Sequence, residues 1–120
     1  MRSIFLVTVS FIIFGMCNSA NAGPPAARLS DLVTCPLVTG NPPIPHAGGP
    51  ISGLVVPSVL MGGLPAARLG SLTVEVGAVS SITQGSNTVL IGGFPAARMG
   101  DITNHGGVII NGLPSVLIGG

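Results

Sequence analysis

Pro57-Ser-Val-Leu-Met-Gly-Gly-Leu-Pro-Ala-Ala-Arg-Leu-Gly-Ser71 recurs as Asn87-Thr-Val-Leu-Ile-Gly-Gly-Phe-Pro-Ala-Ala-Arg-Met-Gly-Asp101. Its first half returns as Pro114-Ser-Val-Leu-Ile-Gly-Gly120, and its second half as Gly23-Pro-Pro-Ala-Ala-Arg-Leu-Ser-Asp31. Joining the last fragment to the first gives three copies of one unit, with the chain opened inside one of them. Such repetition argues against a disordered low-complexity chain. A linear solenoid would carry distinct capping repeats. The expectation is therefore a closed body with pseudo-threefold symmetry and termini near each other.

Gly and Pro together make close to 30% of the residues from Gly23 onward. Interior Gly costs a helix about 1 kcal/mol and Pro about 3 kcal/mol, so helices of ordinary length have nowhere to sit. Ser58–Met61, Thr88–Ile91, Gly107–Ile110 and Ser115–Ile118 are aliphatic runs bounded by Gly, Pro or polar residues, and read as short strands between tight turns. The expected fold class is all-β. Each Gly-Gly pair permits positive φ and a sharp turn. Arg28 and Arg98 are each followed three residues later by an acid, Asp31 and Asp101. Two readings stand for these pairs: the arginines cap turn carbonyls while the acids close Asx turns, or they contact a ligand or partner.

Composition removes several function classes. Only 6% of the 120 residues are charged and the formal net charge is +1, so the clustered positive charge that binds nucleic acid is missing. Mean hydropathy is +0.78, yet no apolar run reaches the ~18 to 20 residues that span a bilayer, and stable membrane insertion of the mature domain is not expected. Much of the apolar excess lies in residues 1–22. Arg2, the apolar stretch Ile4–Met16 and Ala20-Asn21-Ala22 have the arrangement of a secretory signal peptide cleaved after Ala22. A lipid anchor at Cys17, an uncleaved segment and a later start at Met16 are the alternatives. Residues 23–120 would then form one small domain with Phe94 as its only aromatic residue and Cys35 as its only cysteine. No intramolecular disulfide is available to it, and little aromatic area is there to bury.

These motifs resemble the PAAR-repeat family. Pro-Ala-Ala-Arg stands complete at Pro25–Arg28, Pro65–Arg68 and Pro95–Arg98, each in an extended matching context. The resemblance runs over residues 23–120 and includes Thr34-Cys35-Pro36, His46-Ala-Gly-Gly-Pro-Ile51 and Asn104-His105-Gly-Gly-Val108. It implies a small β-rich cone whose base caps the trimeric VgrG spike of a type VI secretion apparatus, and whose tip holds zinc through three His and one Cys. It also implies attachment of separate effector proteins, since the sequence stops at Gly120 with its last strand. One chain seated on a homotrimer gains from three similar strands. Val59, Leu60 and Met61, then Val89, Leu90 and Ile91, then Val116, Leu117 and Ile118 are the expected contact residues. Core packing is their other reading, and both can hold because alternate strand residues face opposite sides.

A small, aromatic-poor domain has good reason to use a metal for stability. The candidate ligands after residue 22 are Cys35, His46, Glu75, His105, Asp31 and Asp101. His46 and His105 each stand beside a Gly-Gly pair. The family often has a His two residues after the first Asp and a Cys in the second unit; this chain has Val33 and Glu75 there. Cys35 and Glu75 are the expected replacements, giving a zinc set of His46, His105, Cys35 and Glu75. A small buried thiol and a solvated carboxylate are their plainer readings.

Two other functions fit parts of the sequence. A zinc hydrolase could be drawn from Cys35, His46 and His105 with Glu75 as base. No Gly-x-Ser-x-Gly, His-Glu-x-x-His or phosphate-loop pattern accompanies it, and no sizeable apolar pocket is expected, so the protein is read as non-enzymatic. An exported, periplasmic or secreted structural module without a spike is the second alternative. It follows from residues 1–22, because Sec export conflicts with loading a spike tip from the cytoplasm.

Overall fold

The computed structural model describes residues 23–39, 41–45, 47–75 and 78–120. No helix occurs among them, and their strands run from two to six residues. The all-β expectation holds.

The three Pro-Ala-Ala-Arg segments meet around one axis. Ala27 N–H donates to Ala97 O (3.0 Å), Ala67 N–H to Ala27 O (3.0 Å) and Ala97 N–H to Ala67 O (3.1 Å), which closes a ring of three hydrogen bonds. A second ring repeats the pattern: Leu29 N–H to Pro65 O, Leu69 N–H to Pro95 O and Met99 N–H to Pro25 O, at 2.8–2.9 Å. Pseudo-threefold symmetry is thus written into the backbone.

Alanine suits this ring because successive residues of an extended chain point to opposite sides. Ala27, Ala67 and Ala97 enter one core cluster with Val33, Ile51, Ile82 and Ile109. Ala26, Ala66 and Ala96 enter another with Val56, Ile91 and Ile118. All six alanines are at most 1% exposed, so a larger side chain would have to displace its neighbours around the axis. The ring is a plate with a core on each face.

The opened unit closes as expected. Leu60 pairs with Pro65 and Leu90 with Pro95, within hairpins turned by Gly62-Gly63 and Gly92-Gly93 at φ of 60° and 83–84°. Leu117 pairs with Pro25 in the same antiparallel way, although the chain is not continuous there. Ile118 N–H donates to Pro24 O at 2.9 Å, which brings the two described ends together.

Strand limits differ from expectation in places. Gly49–Gly53, Leu72–Glu75 and Ala78–Ser81 form a four-stranded sheet with Leu32–Val33, although Gly and Pro obscure the first of them in sequence. Residues 107–110 make only isolated bridges, Val33 with Ile109 and Ile102 with Val108. The run at Thr88 is strand only over Leu90–Ile91, because Ser86 Oγ accepts the N–H groups of Thr88 and Val89 and takes those donors from the ladder.

The aliphatic triplets divide between core and surface. Leu60, Leu90 and Leu117 point outward, 61%, 64% and 47% exposed. Ile91 and Ile118 are buried, and Val59, Met61, Val89 and Val116 pack against the same cluster. The core-packing reading applies to one face of each strand, and the other face is exposed.

Candidate metal centre

Beyond the alanine plate, each unit continues along the axis on the side away from the exposed leucines. Arg28, Arg68 and Arg98 begin three equivalent turns, in which Asp31, Ser71 and Asp101 N–H groups donate back to the arginine carbonyls. Two residues after each turn come Val33, Thr73 and Thr103, all at most 2% exposed. Two residues further, on the same side of the strand by alternation, come Cys35, Glu75 and His105. These three donors are equivalents under the pseudo-threefold and converge for that reason.

Cys35 Sγ lies 3.8 Å from His105 Nδ1, and Glu75 Oε2 lies 3.4 Å from the same nitrogen. One ligand atom from each residue falls within 4.8 Å of the others. Bonds of ~2.0 Å to N or O and ~2.3 Å to S place tetrahedral ligands ~3.3–3.6 Å apart, a spacing that the Glu75–His105 pair has and the Cys35–His105 pair exceeds slightly. The three residues form a cluster that could hold a metal, and a tetrahedral ion would need one more donor.

Glu75 is the most enclosed member, its side chain 0% exposed. Oε1 accepts from Thr73 Oγ1 (2.8 Å) and from Ser80 Oγ, while Oε2 faces the histidine. Burial alone pushes this carboxyl up. Hydrogen bonds from Cys35, Ser80, Thr73 and His105 together outweigh it and hold the group below the ordinary carboxylate range. The Cys35 thiol moves the other way, pushed up first by burial and then by the Glu75 carboxylate beside it.

The remaining candidates fall elsewhere. Asp31 and Asp101 each accept the backbone N–H of their arginine, at 2.7 and 2.8 Å, and pair with its guanidinium, so they are not in the cluster. Arg98 also donates to Gly119 O at 3.2 Å, in agreement with the turn-capping reading. Arg68 has Ser71 in place of an acid; it donates to Leu69 O and lies 4.0 Å above the Phe94 ring. His46 lies outside the described residues. In sequence it stands five residues before Ile51, whereas His105 stands four before the equivalent Ile109.

A surface groove of about 410 Å³ runs beside Cys35, between Leu32, Val33, Thr34, Ala47, Gly48 and Ile110. No such apolar pocket was expected; Leu32 and Ile110 flank it, and Ala47 and Gly48 leave its floor shallowly filled.

Thr73 and Ser80 are site residues that composition and spacing did not single out. A legible signal exists for the ligands themselves: Cys35, Glu75 and His105 each stand seven residues after the motif arginine.

A family model for the PAAR motif matches residues 40–111, well over half of the chain. The match takes in the second and third Pro-Ala-Ala-Arg, and the first joins them in the hydrogen-bonded ring. No curated protein matches the chain significantly. With three motif copies closing one ring and the family model covering most of it, the chain belongs to the PAAR-motif family, which is associated with the spike tip of type VI secretion systems.

Proposed function

We propose that this protein caps and sharpens a trimeric VgrG-like spike, as a structural part and not as an enzyme. The closed ring of Ala27, Ala67 and Ala97 carries the reading. It gives a single chain three equivalent strands, and Leu60, Leu90 and Leu117 offer each subunit of a homotrimer the same apolar contact. Copurification with trimeric spike proteins, read by native mass, tests it. One copy per trimer is the expected result, and no complex with any spike of its own genome would overturn it. In this role the protein is delivered by type VI secretion and offers a tip to which effectors attach non-covalently.

The opposite end of the axis holds zinc in this reading. Cys35, Glu75 and His105 would hold the ion, with His46 as the fourth ligand. Bound there, zinc would supply a crosslink between three units whose small core gives limited stability.

Residues 1–22 favour a second reading, an exported module that works without a spike. They lie outside the described residues, and no helix among the described residues is long and apolar enough to cross a membrane. Fractionation with a C-terminal tag separates the two: intact cytoplasmic protein favours the tip, and processed periplasmic protein favours the exported module.

A further inference from the structure

Glu75 is held differently from its two counterparts. Its Oε1 lies against Thr73 Oγ1 and Ser80 Oγ, which are themselves 2.6 Å apart, and all three side chains are buried. Two hydroxyl protons are shared among these three oxygens. Oε2 is left for the space between His105 and Cys35. We infer that Thr73 and Ser80 are positioning residues that hold Glu75 by Oε1, so that it meets a metal ion through Oε2 alone. The inference rests on the metal reading above and adds how its carboxylate ligand is presented.

Comparison of the three units supports this assignment. The positions equivalent to Ser80 are Gly49 and Gly107. A Cβ at either would fall 1.8 Å from a carbonyl oxygen, Val74 O or Thr34 O, so those units have no room for a side chain. Only the second unit has backbone spacing that admits one. At the Thr73 position the other units carry Val33 and Thr103, and the Thr103 hydroxyl accepts the N–H of Gly107. A hydroxyl pair therefore occurs only beside the carboxylate. Cys35 and His105 coordinate through one atom each and need no such device, whereas an unrestrained carboxylate can also chelate through both oxygens. Partners of this kind fix ligand orientation in metal sites.

The test uses the full chain and Zn²⁺ alone. Thr73→Val with Ser80→Gly copies the residues at Val33 and Gly49, so the backbone of the first unit already accommodates them. This double variant is expected to bind Zn²⁺ about 10–100-fold more weakly in chelator competition. Its Co²⁺ form is expected to lose intensity in the visible bands as Glu75 chelates and coordination number rises. Thr73→Ser keeps the hydroxyl and is expected to bind as the parent does. Infrared carboxylate bands of the zinc-loaded parent provide a readout independent of variant folding: a one-oxygen pattern is expected, and a chelating pattern overturns the inference. If Glu75→Ala weakens binding while the double variant binds normally with an unchanged Co²⁺ spectrum, the positioning role falls and the metal centre stands. If the parent takes no zinc, both fall; if Glu75→Ala binds as well as the parent, Glu75 is no ligand and the positioning role falls, while zinc binding by the other donors stands.

Discussion

The two faces of the alanine plate use the same threefold in opposite ways. On one face Leu60, Leu90 and Leu117 repeat one residue type at three equivalent positions. On the other, Cys35, Glu75 and His105 place three different donors at equivalent positions. Symmetry is kept on the exposed face, where the three leucines point outward alike. It is broken beyond the plate, where three side chains crowd together and three identical carboxylates would repel one another. A mixed set of thiol, carboxylate and imidazole lets charge and hydrogen bonding balance in one small volume.

The plate joins the two faces, so damage there should disrupt both. Ala67→Leu is expected to destabilise the protein by about 3 kcal/mol or more, since overpacking at the axis forces the three strands apart. Urea unfolding followed by circular dichroism would check this. A stable, fully folded variant would mean that the ring tolerates expansion.

Metal should act on one face only. Zn²⁺ at a hundred times its Kd is expected to stabilise the parent by about 2.7 kcal/mol, and Cys35→Ala or His105→Ala should remove most of that gain. Calorimetry with and without chelator measures both. The Cys35 thiol, pushed up by burial and by Glu75, must lose its proton to bind, so apparent affinity should fall as pH drops from 8 to 6. In the metal-free protein the pH effects have opposite signs. Glu75 lies below its ordinary range when folded, so its contribution is full above the unfolded value of about 4.3 and is lost as pH falls through the lower folded value. Cys35 lies above its ordinary value, so its contribution is full below about 8.5 and is lost as pH rises through the folded value.

The turns around the plate give a finer comparison. Asp101 accepts from the backbone and guanidinium of Arg98, with side chains 4% and 12% exposed. Asp101→Ala should cost about 2 kcal/mol by leaving that guanidinium without its carboxylate. Ser71→Ala should cost less, because the Arg68 guanidinium already relies on Leu69 O and the Phe94 ring. Equal losses in thermal unfolding would mean that the acids close the turns without helping the arginines.

The smallest stability effect is expected on the exposed face. Leu90→Asp should change stability by no more than about 0.5 kcal/mol, while abolishing copurification with a spike trimer. Retained binding would exclude this leucine from the docking surface and leave the threefold fold intact.

Much of the fold was legible because repetition is a property of sequence. Three Pro-Ala-Ala-Arg copies, the split third unit and the scarcity of residues free of Gly and Pro led to an all-β closed body. The alternation of Val, Leu and Ile likewise foretold one core face and one exposed face. Strand limits were less legible, because Ser86 takes backbone donors that the aliphatic run at Thr88 would otherwise place in a ladder. Cys35, Glu75 and His105 were readable as donors from their type, and their common offset from the motif arginine was there to be counted.

What the sequence determined by itself was the unit, its number and its chemistry: periodicity and residue type are local properties that need no coordinates. Only the tertiary structure decided which donors meet. Cys35 and His105 are 70 residues apart along the chain, and their approach depends on three backbone segments closing one ring. Tertiary packing also decided that Ser80 would have room where Gly49 and Gly107 have none. That room depends on the distance to a neighbouring carbonyl, a quantity set by how units pack and not by any residue read alone.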